Sequence, residues 1–132
     1  MQNGSIYTQM TRSEREVAEF LKKLNIRWCY EKPVFVWDEN RRPGVWAPDF
    51  YLITFGIYIE VCGSEKFDYE YRRNIYDNNG YGVIFLHLYK ETIKWKEHLI
   101  NYLEVITNYR SKKLNEITSK VSFLFVKKWI GV

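Results

Sequence analysis

The stretch that most constrains this chain is WAPDFYLITFGIYIEVCG, Trp46 to Gly63. Its β-branched and aromatic residues read as two strands of a hairpin, joined by a short connection near Thr54 to Gly56. Two carboxylates interrupt these apolar runs: Asp49 and Glu60. Burying a bare carboxylate disfavours its charged form, so each needs a cation, a strand end open to water, or a metal. With the turn centred on Thr54 and Phe55, Asp49 and Glu60 stand nearly opposite each other. Like charges across a ladder repel, and a divalent ion between them removes the conflict. Period-two alternation places Glu60 and Cys62 on one face. Hard oxygen ligands favour Mg2+, with Mn2+ as a substitute.

The flanking sequence supplies a frame for that hairpin. Residues 1–11 read as a loose arm. SEREVAEFLKKL reads as a helix, with Ser13 as N-cap, Glu16 completing a capping box, and Asn25 as the stop. Val17, Phe20, Leu21 and Leu24 form its apolar stripe. IRWCYEKPVFVW reads as a strand, with Pro33 marking an edge or a bulge, and DENRRPG as a turn. FDYEYRRNIYDNNG is a second helix ending at Asn79 or Gly80. YGVIFLHLY suits a strand covered on both faces, and TIKWKEHLINYLEVITNY a third helix. VSFLFVKKW fits either a strand or a helix end. The expected fold is α/β, a mixed sheet with helices on both sides, in one domain spanning 1–132.

Charge is unevenly placed. Residues 1–89 hold eleven Lys/Arg against twelve Asp/Glu, and the C-terminal region, 90–132, holds nine against four. A basic helical region suits an anionic partner such as nucleic acid, although a solvated helix face explains it as well. Two cysteines make no disulfide framework, and two histidines without a CxxC pair make no zinc site. His87 reads as a satisfied core histidine and His98 as a surface one. No run approaches a membrane span and the first residues are polar, so a cytoplasmic setting without membrane association is expected.

Pro48-Asp49-Phe50 followed by Ile59-Glu60-Val61-Cys62, after a helix bearing an acid, resembles the signature of the PD-(D/E)XK nuclease superfamily. The resemblance runs from about Ser13 to Leu88. It implies a restriction endonuclease-like αβββαβ core with a mixed four- to five-stranded sheet. It also implies a Mg2+-dependent endonuclease hydrolysing DNA phosphodiesters. The implied metal site is Asp49 and Glu60, with the Val61 carbonyl and the first-helix acid, which falls on Glu16. The superfamily has lysine where this chain has Cys62, and Lys66 or Arg72 are the candidates to replace it, with Arg73 behind. Glu31 is a further accessory carboxylate. Arg41 and Arg42 at a hairpin tip, with Arg72 and Arg73, are candidates to grip phosphates of duplex, nicked or branched DNA. A homodimer would suit the twofold symmetry of such DNA. The rival expectations are a DNA-binding module of the same fold without turnover, and a protein-interaction domain.

Overall fold

The computed structural model describes residues 5–64, 68–90 and 93–130, with the side chains of Ser5 and of 121–130 outside the description. Ten elements follow in order: α1 (Ser5–Thr8), α2 (Arg12–Lys23), β1 (Trp28–Tyr30), β2 (Val34–Trp37), β3 (Pro43–Trp46), β4 (Phe50–Leu52), β5 (Ile57–Cys62), α3 (Tyr69–Asn78), β6 (Val83–His87) and α4 (Lys94–Ile130). Four strands form a mixed sheet in the order β1-β4-β5-β6, and β2 and β3 form a separate two-stranded sheet.

The two sheets come from one broken hairpin. Trp28 pairs with Leu52 and Val34 with Trp46, in a single antiparallel register. Between the halves, the Glu31 N–H still donates to the Asp49 carbonyl at 3.0 Å. The break has local causes. Pro33 and Pro48 cannot donate to a ladder, and Glu31 takes a left-handed φ of 52°. The expected long strands over IRWCYEKPVFVW and VWAPDFYLIT are therefore each two strands, because the proline on each side ends the pairing at the same level. The outer half swings away as a ribbon over α3. Val34 and Val36 turn inward to Ile75, Tyr76, Cys62 and Phe85, while Phe35, Trp37 and Val45 face solvent. Asn79 clamps the ribbon, accepting from Trp37 N at 2.8 Å and donating to its carbonyl at 3.0 Å.

The β4–β5 hairpin has the expected register, with Phe50 opposite Ile59. Gly56, at φ 67°, takes the left-handed conformation that closes its turn. β6 then lies parallel to β5, Glu60 beside Phe85 and Cys62 beside His87, with α3 as the crossover. Helix α2 packs on β5 through Val17, Ala18 and Leu21, which are fully buried.

The capping box of α2 differs from the sequence expectation. The N-cap is Thr11, whose Oγ1 accepts from Glu14 N at 3.1 Å, while Glu14 Oε1 accepts from Thr11 N at 2.8 Å. Thr11-x-x-Glu14 and Ser13-x-x-Glu16 both satisfy the motif. Starting at Thr11 adds a half-turn and puts Glu14 on the buried side, ahead of Val17, Ala18 and Leu21. From residue 5 on, the N-terminal arm is also less loose than expected: α1 is helical, Met10 is buried, and Tyr7 meets Trp28 edge to face. Asn25, at φ 57°, ends α2 as expected, with Ile26 N–H reaching back to Leu21 O at 2.9 Å.

VSFLFVKKW belongs to α4, a single helix of 37 residues. The chain divides into two compact units, Met1–Leu99, which holds the sheets, and Ile100–Val132, whose described residues are helical. From Val105 to Lys120 the second unit is largely exposed, Val105, Tyr109 and Leu114 included. Among the described residues, no helix is long and apolar enough to cross a membrane.

Candidate carboxylate site

Asp49 stands just before β4, one step beyond the Phe50–Ile59 pair, which brings it beside Glu60. Pro48 is fully buried and turns the chain at this point. Asp49 Oδ2 then accepts from the Val61 N–H of the neighbouring strand at 2.6 Å. Its carboxyl is also hydrogen-bonded to Glu14 of α2. Burial, then the Glu14 hydrogen bond and the charges of Glu60 and Glu14, push Asp49 up to about 9, against the Val61 N–H, which favours the anion. Glu14 moves the other way. Burial opposes its ionisation, but the hydrogen bonds from Asp49, Thr11 and Tyr30 outweigh it and hold Glu14 below the usual carboxylate range. Tyr30 OH donates to Glu14 Oε1 at 3.0 Å. The pair therefore holds one proton at neutral pH, carried by Asp49 and donated to an ionised Glu14.

Glu60, on β5, is buried and turned toward α3. Its Oε2 accepts from Arg72 Nε at 3.0 Å, from Arg72 Nη2, and from Tyr76 OH at 2.7 Å. Arg72 also donates to Tyr76 OH at 3.1 Å and lies 4.6 Å from the Trp46 ring centroid. Burial works against the Arg72 charge, and the hydrogen bond and charge of Glu60 more than restore it. Tyr76, fully buried, is pushed up first by burial and then by Glu60. Helix α3 thus delivers a cation and a phenol to the second carboxylate. Asp68 caps α3 by accepting from Tyr71 N at 3.0 Å.

The Cys62 thiol donates to the Glu60 carbonyl of its own strand at 3.8 Å. The thiol is fully buried among Val34, Val36, Ile75 and Phe85. Burial, followed by the charges of Glu60 and Asp49, pushes it up to about 12, so it stays protonated. Cys29 is exposed, and both thiols are free.

The remaining candidates divide by distance from this cluster. Glu16 is exposed and lines a surface groove of about 270 Å³ with Glu19, Phe20, Lys23, Ile93, Trp95 and Lys96. The first-helix acid that reaches Asp49 is Glu14, two residues earlier and so on another side of the helix. Of the two candidates for the missing lysine, Arg72 is in the cluster, and Lys66 lies outside the described residues. Arg73 is exposed, its guanidinium 5.1 Å from the Phe85 ring centroid. Arg41 and Arg42 sit at the tip of the β2–β3 ribbon, Arg41 at φ 59° and Arg42 3.6 Å from Asp38. Glu31 is exposed at the hairpin break.

Glu14 was missed because two overlapping capping boxes fit the sequence, and only the helix phase separates them. The signal that could have found it is TRSE itself, since a box beginning at Thr11 leaves Glu14 in phase with Val17, Ala18 and Leu21.

Among the described residues, no group of three or more His, Cys, Asp or Glu side chains forms a ready metal cage. What converges is a proton-sharing carboxyl pair beside an arginine-held carboxylate. Mg2+ sites in proteins commonly take one or two carboxylates and keep waters and phosphate oxygens for the other positions. No family model, no curated protein and no solved structure matches the chain.

Proposed function

We propose that this chain is a Mg2+-dependent endonuclease that hydrolyses DNA phosphodiesters, with a restriction endonuclease-like core and a carboxylate site of the PD-(D/E)XK kind. The observation that carries this reading is the Glu14–Asp49 pair. Two carboxyls from α2 and the β4 entrance are held together with one proton between them, next to Glu60. Such an arrangement costs stability, and exchange of that proton for a divalent ion gives both carboxylates a favourable partner. The topology supports the same reading, since a helix, an antiparallel hairpin, a crossover helix and a parallel strand follow in the expected order.

A bound Mg2+ or Mn2+ supplies, at a site of this kind, a Lewis acid for the phosphate and hydroxide at neutral pH. The chain's own residues do the rest. The Val61 N–H orients Asp49. Tyr30 and Thr11 orient Glu14. Arg72 and Tyr76 hold Glu60 in one rotamer and place a positive charge where a phosphate would enter. Arg72 thereby takes the electrostatic role that Cys62 cannot. As part of this reading the chain works as a homodimer, checked by sedimentation.

The test is cleavage of duplex, nicked, branched and single-stranded DNA with Mg2+ and then Mn2+. Asp49→Asn and Glu60→Gln are expected to abolish cleavage with DNA binding retained. Cleavage that survives both substitutions overturns the site. One observation favours a second reading, a DNA-binding module without turnover: Glu60 already has its cation in Arg72. Intact DNA binding with no cleavage of any substrate in either metal selects that reading.

A further inference from the structure

The outer face of the β2–β3 ribbon is apolar. Phe35 stands directly opposite Val45, and Trp37 opposite Pro43, so all four side chains share one face. Phe35 is 75% exposed, Val45 60% and Trp37 58%, and Pro43 is exposed beside them. The ribbon does not need these groups for its own packing, because Val34 and Val36 supply its buried face. Apolar surface gathered on one face and left in water is the mark of a contact site, unlike single exposed residues.

Three ties fix this face to α3. Asn79 brackets the Trp37 peptide with hydrogen bonds of 2.8 and 3.0 Å. Tyr71 OH donates to Glu39 in the ribbon tip at 2.9 Å. Trp46, on the inner face, meets Tyr76 edge to face and lies 4.6 Å from the Arg72 guanidinium. The aromatic pair is therefore presented on an ordered backbone, which lowers the entropic cost of binding. The same helix holds Glu60 through Arg72 and Tyr76, so the ribbon and the carboxylate site share one support.

The size and chemistry of the face select its occupant. The three largest exposures offer roughly 400 Å², and two copies face to face bury roughly 800 Å², below the about 1,200 Å² at which specific protein interfaces begin. Phe35 and Trp37, two residues apart on one strand, stand about 6.8 Å apart. That spacing gives each ring its own base where the bases are unstacked, and a duplex offers no free base faces. At the tip, Asp38 accepts from Asn40 N at 2.8 Å and Arg42 N at 2.9 Å, which turns its charge inward. Arg41 is exposed there, and the Arg42 side chain stays 73% exposed beside Asp38. Aromatic rings with arginines next to them are the elements of single-strand binding, in which stacking tolerates any base.

We infer that the outer face of the β2–β3 ribbon is a stacking platform for unpaired DNA, with Phe35 and Trp37 each taking one base and Arg41 and Arg42 taking adjoining phosphates. That the ligand is DNA rests on the nuclease reading above. The substrate class it selects is DNA with a single-stranded part, such as a branch or an overhang.

The test uses the full chain in EDTA, which keeps cleavage out of the measurement. A labelled oligothymidylate and a blunt duplex are titrated by fluorescence anisotropy. The variants are Phe35→Ala, Trp37→Ala and Trp37→Phe, their folds checked by circular dichroism and melting. Each alanine variant is expected to bind the single strand on the order of tenfold more weakly. Duplex binding, carried by charge, is expected to change less than about twofold. Trp37→Phe is expected to keep most of the affinity while the quenching of tryptophan emission by the single strand falls. Alanine variants that bind the single strand like the wild type overturn the inference, and so does equal weakening on both DNAs. Self-association in sedimentation that the alanine variants lose, with single-strand binding unchanged, overturns it in favour of a second copy. Platform binding in a chain that cleaves no substrate rejects the nuclease reading and leaves the platform. Cleavage by a chain whose alanine variants bind the single strand undiminished does the reverse.

Discussion

Asp49→Asn isolates the physics of the carboxylate site from its chemistry. In the folded chain Asp49 stays protonated up to about pH 9, and in the unfolded chain it ionises above its ordinary value of 3.8. The folded state therefore binds the extra proton between those limits. A raised acid of this kind contributes most stability below about pH 3.8, and the contribution falls as pH rises toward 9. The slope is up to about 1.4 kcal/mol per pH unit, which sets a ceiling of roughly 4 kcal/mol at pH 7. Glu14 shifts in the opposite direction and offsets part of this, so a net penalty of about 2 kcal/mol is expected. Asparagine mimics the protonated acid. Its carbonyl accepts from Val61 N–H, its amide donates to Glu14, and it does not titrate. The variant should match the wild type near pH 4 and exceed it by about 2 kcal/mol near pH 8, with a flatter profile between. Urea unfolding followed by Trp fluorescence in EDTA, at four pH values from 4 to 8.5, reads this directly. A variant less stable than the wild type at pH 8, or a parallel pH profile, refutes the reasoning. On the nuclease reading, the same variant should also lose its Mg2+ response.

Other outcomes follow from the same contacts. Arg72→Met leaves Glu60 buried without its cation and should cost about 2–3 kcal/mol, discounted for the partial exposure of Arg72. Glu60→Gln in that background should restore part of the loss, and simple additivity in a double-mutant cycle would remove the coupling. Thr11→Ala should cost about 1 kcal/mol by removing the α2 cap, and Ser13→Ala under about 0.5 kcal/mol. The reverse order would restore the Ser13–Glu16 box. Mg2+ or Mn2+ uptake at pH 7.5 should release close to one proton, read by calorimetry in two buffers of different ionisation enthalpy. Uptake without proton release would place the ion away from Asp49. Iodoacetamide at pH 8 should label Cys29 quickly and Cys62 only on unfolding, since that thiol is buried and protonated. Two fast thiols would contradict the packing around β5.

Much of this protein was legible in its residues. Strand alternation and the Thr54–Gly56 turn place Asp49 opposite Glu60, and the structure keeps that register. Asn25 and Gly80 mark helix ends because each takes the left-handed φ that stops a helix. These are local properties, set by neighbours a few residues away. The proline breaks were visible in Pro33 and Pro48, but their joint effect was not. Whether two interruptions face each other depends on pairing register across some fifteen residues, and facing each other is what splits one hairpin into two sheets.

Tertiary packing decided the partners of each charge. Two capping boxes fit the sequence, and the packing of Val17, Ala18 and Leu21 decides for the one that puts Glu14 on the buried side. Arg72 meets Glu60 because α3 returns across the face that carries Cys62. Among the described residues, the buried His87 Nδ1 finds no hydrogen-bond partner. Alternation along a strand tells which way a side chain points. Only the packed layers determine what it finds there, and a carboxylate's or a histidine's chemistry is set by what it finds.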